Sequence, residues 1–576
     1  MSDVVVLKFG SSVLRTENDL PKAVHEIYRH WCQGSKVIAV VSAIGDTTDR
    51  LLGVGATISA ESPPCLVAAL AATGETTAAA LLGMSLHRAG IPTKVLDPVQ
   101  AGLRTIGDEL DAKPVAIDRA RLRAELQHSV VVLPGFAGRN QGGDTTLLGR
   151  GGSDLSAVFV ANQLGARCIL LKDVDGLYTN DPARVEAGHP LRFSHIKYET
   201  ALRVGGTVVQ DKAVRFAAEC DMPFEITSFG ASTGTEIGSA LDLVTSRESS
   251  PTRLKVALLG CGTVGGGVYE RLLALPELFE ITGIGVRDLS RLRKPRVLEH
   301  LLTVNPEDLI SKPCDVVVEL IGGVERASAL VDCALRSGRH VVTANKALLV
   351  AEGDRLQAVA NASEVTIGGS GAVGGALPAL ETIEQAKTRG PIRGFCGILN
   401  GTTNFILDQL AKGQELENAI RAAQAAGYAE ADPVLDLDGT DAAQKLILLA
   451  RAAFGMSLPL ASISRQGIEH LSSESLAEAR KRGNAIRLVA SCRASDVGLQ
   501  ACIAPLELPF DHPLARLKGA QNGLIVEMAN GAQKIVFGTG AGRWPTTEAV
   551  MADLLDIHRK LSTAELTSPE LEEVVA

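Results

Sequence analysis

Aromatic residues are scarce in this sequence, since Phe, Trp and Tyr make up 3% of its 576 residues. Proteins that bind single-stranded nucleic acid stack the bases on aromatic side chains, so a platform of that kind is not expected. The formal net charge is −9, whereas nucleic acid and anionic membranes attract basic surfaces. The composition therefore predicts no nucleic-acid partner and no membrane partner.

The ten cysteines contain no Cys-x-x-Cys pair, which argues against a zinc site or a disulfide framework. No apolar run approaches the length that spans a membrane. The first residues, MSDVVVLKFG, begin a strand at once and show no signal-peptide pattern. Together these absences predict a cytoplasmic protein with reduced thiols.

Glycine is abundant, with 58 residues, and 46% of the chain is hydrophobic. This composition is typical of α/β domains, in which many strands are joined to helices by tight turns. The chain is too long for one ordinary core, so about two to four domains are expected.

The stretch Leu254–Gly267, LKVALLGCGTVGGG, combines a buried-strand pattern with a glycine turn and the start of a helix. The first glycine of the turn permits a tight bend, the second lets a pyrophosphate approach the backbone, and the third allows helix and strand to pack closely. We predict a dinucleotide site here, with a structural turn as the alternative. The cofactor would lie on Gly260, Gly262, Thr263, Val264 and Gly265.

In the N-terminal half, two buried strands end in polar residues. Val4–Phe9 carries Lys8, followed by small residues that could cradle a phosphate; the alternative is an exposed strand-end lysine. Lys36–Ser42 is followed by a polar turn that contains Thr48. Ligands of open α/β sheets bind at such strand ends.

Three further segments carry acidic side chains. Thr73–Thr77 is predicted to open a helix, where Glu75 either binds a substrate ammonium group or only favours the helix start. The glycine-rich loop Asn140–Asp154 either wraps a triphosphate or forms a flexible hairpin. A strand that begins at Ile169 leads into paired aspartates, which can hold Mg²⁺ or a nucleotide.

The motifs KFGSSV, VSAIGDTTDRLL, PGFAG, TTLLGRGGSD and KDVDGLYTNDP resemble those of the aspartokinases, members of the amino-acid kinase family. The resemblance covers roughly Val4 to Leu243. It implies phosphoryl transfer from Mg·ATP to the β-carboxylate of aspartate, which depends on positioning and charge neutralisation. By the resemblance, Lys8 stabilises the phosphoryl group and Asp154 orients the reacting groups. Aspartate is bound by Thr48 and Glu75. The ATP site is lined by Asp173, Asp175 and Tyr178.

The kinase half departs from this family pattern in three places. Ser11 stands where the family has a second glycine, and Lys172 stands where it usually has Thr or Ser. The segment GGTVVQDK, with Thr207, Gln210 and Asp211, replaces a lysine and a His-Pro pair. The ACT regulatory domains that normally follow in the family have no room before the dinucleotide strand.

The second predicted strand of the dinucleotide domain, Phe279–Val286, ends at Arg287-Asp288. An acid there binds the ribose 2′-hydroxyl of NAD, whereas an arginine suits the 2′-phosphate of NADP. With Arg291 and Arg293 nearby, NADP is favoured over NAD. Another strand of this domain ends at Lys346, where cofactor and substrate would meet.

Asp441 and Lys445 are four residues apart in a predicted helix, Ala442–Phe454 with Asp441 just before it, and would share one helical face. A surface ion pair is the simple interpretation. However, the helix is apolar nearly all round, so it is predicted to be buried, and a buried Asp/Lys pair favours a functional role.

The motifs ANKALL, GILNGTTNFIL, GYAEADP and DGTDAAQK resemble homoserine dehydrogenase from Leu254 to about Ser562. The resemblance implies interconversion of aspartate semialdehyde and homoserine, with Lys445 as the proton donor and Lys346 assisting near the nicotinamide. It implies that the amino acid is held by Gly427, Glu430 and Asp441, and that Gly540 contacts the cofactor. Ser370 occupies the place of a glutamate that, in the family, helps to hold a monovalent cation. The sequence therefore does not decide whether this chain has the cation site.

The fold expected is α/β: an N-terminal amino-acid-kinase-like αβα sandwich, a Rossmann-type dinucleotide domain, and an α+β catalytic and dimerisation domain. The expected boundaries are a kinase domain at 1–244, a linker at 245–252, an NADP-binding domain at 253–352 that the C-terminal segment completes, a catalytic domain at 353–562, and a disordered tail at 563–576. A homo-oligomer, dimer or tetramer, is expected from the dehydrogenase resemblance.

Two alternatives to a bifunctional enzyme remain at this point. The kinase half could be a degenerate module that only binds aspartate or ATP beside an active dehydrogenase. The whole chain could instead be a non-enzymatic NADP-binding regulator, although the retained Lys346, Asp441 and Lys445 argue against it.

Overall fold

The computed structural model describes residues 3–59, 61–180, 190–206, 208–231, 233–245, 253–430, 432–496, 498–564 and 572–573. The chain forms two compact units. The first comprises Met1–His87, Pro92–Thr252 and His558–Ala576, and the second comprises Arg88–Ile91 and Arg253–Ile557. The departure at Thr207, the predicted linker from 246 onward and most of the predicted tail lie outside the described residues.

The first unit is an α/β layer structure. Its strands are β1 (Val4–Phe9), β2 (Lys36–Val41), β3 (Thr93–Val95), β4 (Arg104–Ile106), β5 (Lys113–Ala116), β6 (Val130–Pro134), β7 (Ala137–Arg139), β8 (Thr145–Leu147), β9 (Arg167–Lys172), β10 (Arg192–Lys197), β11 (Phe224–Ser228), β12 (Thr235–Gly238) and β13 (Leu243–Thr245). Its helices are α1 (Leu20–Cys32), α2 (Thr47–Ile58), α3 (Pro64–Arg88), α4 (Arg119–Glu125), α5 (Gly152–Leu164), α6 (Tyr198–Val204) and α7 (Asp211–Glu219).

A ten-stranded sheet organises the first unit, and β1 lies inside it between β9 and β2. All six residues of β1 are buried, as expected for a parallel strand covered on both faces. β1 pairs in parallel with both neighbours. Their carboxyl ends therefore meet at one edge of the sheet.

The second unit contains two sheets. Its strands are β14 (Leu254–Leu259), β15 (Phe279–Gly285), β16 (Leu302–Thr303), β17 (Val316–Glu319), β18 (His340–Thr343), β19 (Ile367–Gly368), β20 (Ile392–Ile398), β21 (Ser464–Arg465), β22 (Asn484–Ser495), β23 (Gly498–Pro509), β24 (Gln521–Met528) and β25 (Gln533–Thr539). Its helices are α8 (Thr263–Leu273), α9 (Pro306–Ser311), α10 (Glu325–Arg336), α11 (Lys346–Ala362), α12 (Ser370–Val373), α13 (Ala379–Arg389), α14 (Gly401–Leu410), α15 (Leu416–Ala425), α16 (Val434–Leu437), α17 (Thr440–Phe454), α18 (Ser473–Lys481) and α19 (Arg543–Ala564).

The first of these sheets is parallel, in the order β16-β15-β14-β17-β18-β19. The strand order reverses between β14 and β17, which is the switch point where ligands of doubly wound sheets bind. The second sheet, β21-β23-β22-β20-β24-β25, is antiparallel except for the β21–β23 pair. The predicted α/β class, with a Rossmann-type domain and an α+β domain, is confirmed.

Several local expectations need correction. The predicted end of the dinucleotide domain, residue 352, falls inside α11, and β19 still pairs with β18 in the same sheet. The segment Thr73–Thr77 does not open a helix, because it lies in the middle of α3. Within the predicted tail, Glu572–Glu573 form a short strand, β26, that pairs with β13.

Helix α3 also corrects the statement about apolar runs. It has 25 residues, and its most apolar window reaches a mean hydropathy of 1.6, so by length and composition it could cross a membrane. Core helices of globular domains meet the same criterion. Here the helix carries Glu75, which is buried in the first unit.

The C-terminal helix α19 packs on the dinucleotide domain through a buried ion pair. The Nη2 and Nε atoms of Arg271 in α8 lie 2.6 and 2.9 Å from Oε1 of Glu548. Both side chains are at most 2% exposed. The Arg271 guanidinium also lies 4.6 Å from the ring centre of Trp544. These contacts join the dinucleotide domain to residues from the end of the chain.

Candidate active sites

The edge of the first sheet brings together two lysines and one aspartate. Lys8 lies near the end of β1, Lys172 ends β9, and Asp154 lies in the first turn of α5. The Lys8 Nζ atom is 2.5 Å from Oδ1 of Asp154, and the Lys172 Nζ atom is 2.8 Å from Oδ2. All three residues are at most 8% exposed. The structure therefore joins two predicted site residues with a third that the sequence marked only as a departure.

Burial changes the charges in this cluster. It lowers the pKa of Lys8 to about 8, although the neighbouring Asp154 acts in the opposite direction. Burial also acts to raise the pKa of Asp154, but the ammonium groups of Lys8 and Lys172 outweigh it and lower that pKa to about 2. Asp154 is therefore a carboxylate at neutral pH, held between two cations.

The turn after β1 passes close to the Lys8 ammonium group. A Cβ atom at Gly10 would lie 2.7 Å from Lys8 Nζ, so a larger residue at this position would displace the Lys8 ammonium. The amide hydrogens of Val13 and Leu14 donate to the Gly10 oxygen and close the turn. The sequence predicted this small-residue turn, and the structure supplies the reason for its first glycine.

Glu75 is 3% exposed although it lies in the middle of α3. Burial raises the pKa of its carboxyl group to about 7, while hydrogen bonds that include Thr48 act in the opposite direction. Within the described residues, its Oε2 atom has no hydrogen-bond partner. A buried carboxylate oxygen without a partner is suited to accept a hydrogen bond from a ligand. The interpretation of Glu75 as a helix-start acid is therefore wrong.

The predicted nucleotide residues after β9 are paired with other side chains. Asp175 accepts hydrogen bonds from the Tyr178 hydroxyl (2.7 Å) and from Arg192 (3.1 Å). Asp173 is exposed and lies 3.5 Å from Arg15. Across the described ranges, no three His, Cys, Asp or Glu side chains converge to hold a metal ion.

In the second unit, the glycine turn after β14 has the shape of a dinucleotide cradle. A Cβ atom at Gly260 would lie 2.7 Å from the Leu320 oxygen, and one at Gly265 would lie 2.2 Å from the Gly260 oxygen. At Gly262, by contrast, nothing lies within 4 Å. The backbone is therefore tight at the first and third glycines and open at the second, at the N-terminus of α8 that Thr263 and Val264 begin.

A cavity of about 440 Å³ lies over this turn, and four arginines line it: Arg287, Arg291, Arg293 and Arg326. Asp288 also lines it, but its carboxylate accepts hydrogen bonds from the amide and hydroxyl of Ser290, at 2.8 and 2.7 Å. The cavity thus presents guanidinium groups at the end of β15, where a ribose would lie. The shape and the donors fit a dinucleotide.

Asp441 is the centre of the second site. Its Oδ2 atom lies 2.9 Å from Lys445 Nζ, and its Oδ1 atom accepts a hydrogen bond from Lys346. Burial acts to raise the pKa of Asp441, but the ammonium groups of Lys445 and Lys346 outweigh it and hold the pKa well below its usual range. Lys445 also donates to the Leu399 oxygen at 2.9 Å. The three predicted catalytic residues therefore form one connected group.

Sequence reasoning missed two members of this group. The Asn400 side chain caps α14 and donates to Asp441 Oδ2 (2.8 Å) and to Asp436 Oδ1 (2.6 Å). Burial raises the pKa of Asp436, and the Asp441 charge adds to this effect. The signal in the sequence was the polar NGTTN turn, but its link to the acidic segment requires the tertiary fold.

Three predicted residues are not joined to this group. Glu430 is exposed, and its backbone oxygen accepts a hydrogen bond from Gln424; in the described part of the chain its carboxylate does not reach Asp441. Gly427 has a φ of +74° after α15. Gly540 follows β25 and packs against Asn522.

Ser370, at the expected cation position, is bonded to a carboxylate. Its amide and hydroxyl donate to Asp553 at 3.0 and 2.8 Å. Burial raises the pKa of Asp553 to about 7, and the nearby Glu381 adds to this effect. In this structure the Ser370 hydroxyl therefore forms a hydrogen bond with a side chain of α19.

The two sites belong to different classes of enzyme. The first has the cationic cluster and buried acid of a phosphoryl-transferring kinase, and the second has the cradle and Lys/Asp pair of a dinucleotide-dependent oxidoreductase. Family models match both units: "Amino acid kinase family" at residues 3–228, "Homoserine dehydrogenase, NAD binding domain" at residues 260–368, and "Homoserine dehydrogenase" at residues 378–555. The chain belongs to the homoserine dehydrogenase family and carries an amino acid kinase domain before it.

Individual relatives agree with the family models. A homoserine dehydrogenase of Synechocystis sp. is 36% identical over 316 residues, which cover 53% of this chain and 73% of the relative. One of Pseudomonas aeruginosa is 36% identical over 320 residues, with coverage of 54% and 73%. The crystal structure of a homoserine dehydrogenase from Thiobacillus denitrificans matches at 38% identity and a TM-score of 0.50, covering 55% of this chain and 75% of that one.

Proposed function

We propose that the chain is a bifunctional enzyme. Its first unit transfers the γ-phosphoryl group of ATP to the β-carboxylate of aspartate. Its second unit interconverts aspartate semialdehyde and homoserine with a nicotinamide cofactor. The single observation that carries the proposal is that each unit has a buried lysine held by a buried aspartate: Lys8 with Asp154, and Lys445 with Asp441.

In the kinase site, a carboxylate oxygen of aspartate attacks the γ-phosphorus while the bond from that phosphorus to the bridging oxygen breaks. The products are an acyl phosphate and ADP, and no proton is transferred. Lys8 neutralises charge on the phosphoryl oxygens, and Asp154 fixes the position of the ammonium group. Glu75 accepts a hydrogen bond from the ammonium group of aspartate through its unpartnered Oε2 atom, with Thr48 beside it.

In the dehydrogenase site, Lys445 donates a proton to the aldehyde oxygen, and in the reverse direction it removes a proton from the hydroxyl group. Asp441 keeps the ammonium group of Lys445 in place, while Lys346 lies on the opposite carboxylate oxygen. A bound nicotinamide would supply or accept the hydride. Gly260, Gly262 and Gly265 would hold its pyrophosphate, and Gly540 would contact the cofactor from the loop after β25.

We propose NADP as the preferred cofactor, because the ribose end of the cavity is lined by Arg287, Arg291 and Arg293 while Asp288 is occupied by Ser290. Replacing Arg287 by alanine should raise the KM for NADP⁺ by roughly 10- to 150-fold, as one charged contact is worth about 1.5–3 kcal/mol, and leave the KM for NAD⁺ nearly unchanged. Arg296 is an exposed arginine and provides the control variant. Equal changes for both cofactors would contradict the preference.

A homo-oligomer and a cytoplasmic location are also part of this proposal. A groove of about 350 Å³ on the second sheet is lined by side chains of β20, β22, β23 and β24, including Cys396, Ser491 and Cys502. A second copy of the chain would cover this sheet face. Sedimentation equilibrium of the wild-type chain, compared with a Ser491→Arg variant, tests this: we expect the variant to dissociate, and an unchanged mass would place the interface elsewhere.

The decisive experiment for the bifunctional proposal is aspartate-dependent hydroxamate formation by the full chain with ATP and hydroxylamine. Homoserine oxidation with NADP⁺ in the same preparation is the folding control. Formation of hydroxamate supports the kinase. Its absence from a preparation that oxidises homoserine would instead make the first unit a binding module, the alternative raised by Ser11 and Lys172.

A further inference from the structure

We infer that Lys172 is a second catalytic cation of the kinase site and that it contacts the phosphoryl group in transfer together with Lys8. This role rests on the proposed kinase function. The sequence marked Lys172 only as a departure from the aspartokinase pattern, in which a neutral hydroxyl residue stands at this position. The structure shows what the added ammonium group touches.

The register of two strands places both lysines on one side of the sheet. β1 and β9 are parallel, and Lys8 is opposite Leu170. Side chains two residues apart in a strand point to the same face, so Lys172 lies on the face of Leu170, one step nearer the sheet edge. From there the two ammonium groups reach different oxygens of one carboxylate, Asp154.

The charges in this cluster do not balance. The side chains of Lys8, Lys172 and Asp154 are 5%, 10% and 2% exposed, and one carboxylate neutralises only one of the two ammonium groups. Burial raises the pKa of the nearby Glu75 to about 7 and outweighs the Lys8 charge, which acts to lower that pKa. A buried surplus of positive charge is costly. An anionic ligand at this position would remove the cost.

The surroundings of the cluster identify that anion as a phosphoryl group. It lies at the carboxyl ends of parallel strands, where ligands of open α/β sheets bind. The Gly10 backbone comes close to the Lys8 ammonium, since a Cβ atom there would lie 2.7 Å from Nζ. The 13-residue helix α5 begins at the same place, and Ser153 in its first turn lies 2.8 Å from Ser42 at the end of β2. The start of α5 and two cations therefore lie at one edge of the sheet.

During transfer, negative charge is spread over the three non-bridging oxygens of the phosphoryl group. One lysine can contact only part of this charge. Lys8 and Lys172, held on the two oxygens of Asp154, approach the group from neighbouring strands. The second cation compensates for the shortened glycine turn at Ser11, and it explains how the kinase departs from its family pattern without losing its chemistry.

The test compares Lys172→Met, which keeps the length but removes the charge, with Lys172→Arg, which keeps the charge. Hydroxamate formation, the KM for ATP and the pH profile are measured for each. We expect Lys172→Met to lower kcat by about 10²-fold, the usual loss when one charge-stabilising donor is removed, with a smaller change in KM. Lys172→Arg should recover much of this loss.

The pH profile tests whether the Lys172 charge acts on Lys8, while the split between kcat and KM and the recovery in Lys172→Arg separate a catalytic role from a structural one. Lys172 helps to lower the pKa of Lys8, after burial as the main cause. In Lys172→Met the alkaline limb of kcat/KM should therefore move to higher pH. An unmoved limb would show that the Lys172 charge does not act on Lys8. Lys36, at the amino end of β2 and paired with Asp3, provides the control variant Lys36→Met.

The outcomes are distinct. Wild-type turnover in Lys172→Met would overturn the role of Lys172 and leave the kinase function intact. A wild-type chain that oxidises homoserine but forms no hydroxamate would overturn the kinase function and this role with it. If Lys172→Met also loses homoserine oxidation, the arginine variant decides: hydroxamate formation by a folded Lys172→Arg supports the role, and its loss there overturns it.

Discussion

Lys445 and Asp441 lie one helical turn apart in α17, with 2.9 Å between the ammonium nitrogen and a carboxylate oxygen. Their side chains are only 8% and 14% exposed. An exposed pair with this spacing would contribute a few tenths of a kcal/mol. At this depth the pair is held rigidly, because Asp441 is also bound by Lys346 and Asn400, and this suits the role of proton donor that we propose for Lys445.

Replacing Lys445 by methionine should therefore abolish most of the dehydrogenase activity. We expect homoserine oxidation to fall by about 10²–10⁴-fold, the usual contribution of a positioned acid or base. NADP⁺ should still bind with nearly wild-type affinity, because its cradle lies in β14 and α8. Stopped-flow and equilibrium fluorescence titration measure the two quantities. Lys412→Met, in the exposed turn after α14, is the control; near-normal turnover in Lys445→Met would remove the residue from the mechanism.

The kinase should show a narrow pH optimum. Glu75, with a pKa raised to about 7 by burial, must be ionised to accept the substrate ammonium group, so kcat/KM for aspartate should rise as the pH passes 7. Lys8, with a pKa lowered to about 8 by burial, must stay protonated, so kcat/KM should fall above pH 8. Hydroxamate assays from pH 5.5 to 9.5 test this, as the free-enzyme profile reports these groups. In Glu75→Gln the acid limb should disappear, and a limb that persists would assign it to another group.

Asp553 should make the second unit less stable as the pH rises. Its folded pKa is raised to about 7 by burial and by Glu381, above the ordinary value of 3.8. Protonation therefore favours the folded state, and this contribution is present at low pH and is lost as the pH rises from about 4 to 7. Asp553→Asn should remove this loss, so its advantage in thermal midpoint over the wild type should be larger at pH 8 than at pH 5. The thermal midpoint of each variant is measured by thermal inactivation of homoserine oxidation. A difference between the two midpoints that does not change with pH would contradict the raised pKa of Asp553.

The buried pair of Arg271 and Glu548 should be far more sensitive than an exposed pair. Glu548→Gln leaves a buried guanidinium without its carboxylate, and breaking such a pair costs about 3–5 kcal/mol. The matched control is Glu417→Gln, whose partner Arg421 is 69% exposed and whose loss should cost less than about 1 kcal/mol.

Fluorescence can follow this unfolding in the correct unit. The chain has two tryptophans, and Trp544 lies beside Arg271. In a Trp31→Phe background, urea unfolding therefore reports the second unit alone. Equal midpoints for Glu548→Gln and Glu417→Gln would show that the Arg271–Glu548 pair contributes little to stability.

Much of both sites could be predicted from local sequence. The strand-turn-helix at Leu254, Lys8 at its strand end, and the spacing of Asp441 and Lys445 each depend on residues that are close in sequence, where periodicity and turn chemistry are informative. The helix boundaries were predicted less accurately. A helix was expected to begin at Thr73, but α3 begins at Pro64 and continues through that segment, because the alanine, leucine and threonine residues between them give no stop signal.

The remaining features depend on long-range pairing. Lys172 could not be assigned to Asp154 before the register of β1 and β9 was known, and the same holds for Asn400 and Asp436, which lie 36 residues apart. No periodicity predicts which carboxylate a buried lysine will meet. Glu381 and Asp553 illustrate the same point, because their interaction exists only once α19 has packed against the second unit.

The position of Glu548 also sets the order in which the dehydrogenase can form during synthesis. The parallel sheet of the dinucleotide domain is translated long before α19, yet the Arg271 guanidinium on its helix has its buried partner 277 residues later in the chain. The buried Arg271–Glu548 ion pair therefore cannot form until the last part of the chain has left the ribosome, and until then the Arg271 guanidinium lacks this partner. A chain truncated after β25 would contain the kinase half together with a dehydrogenase half whose core is incomplete, because it lacks α19.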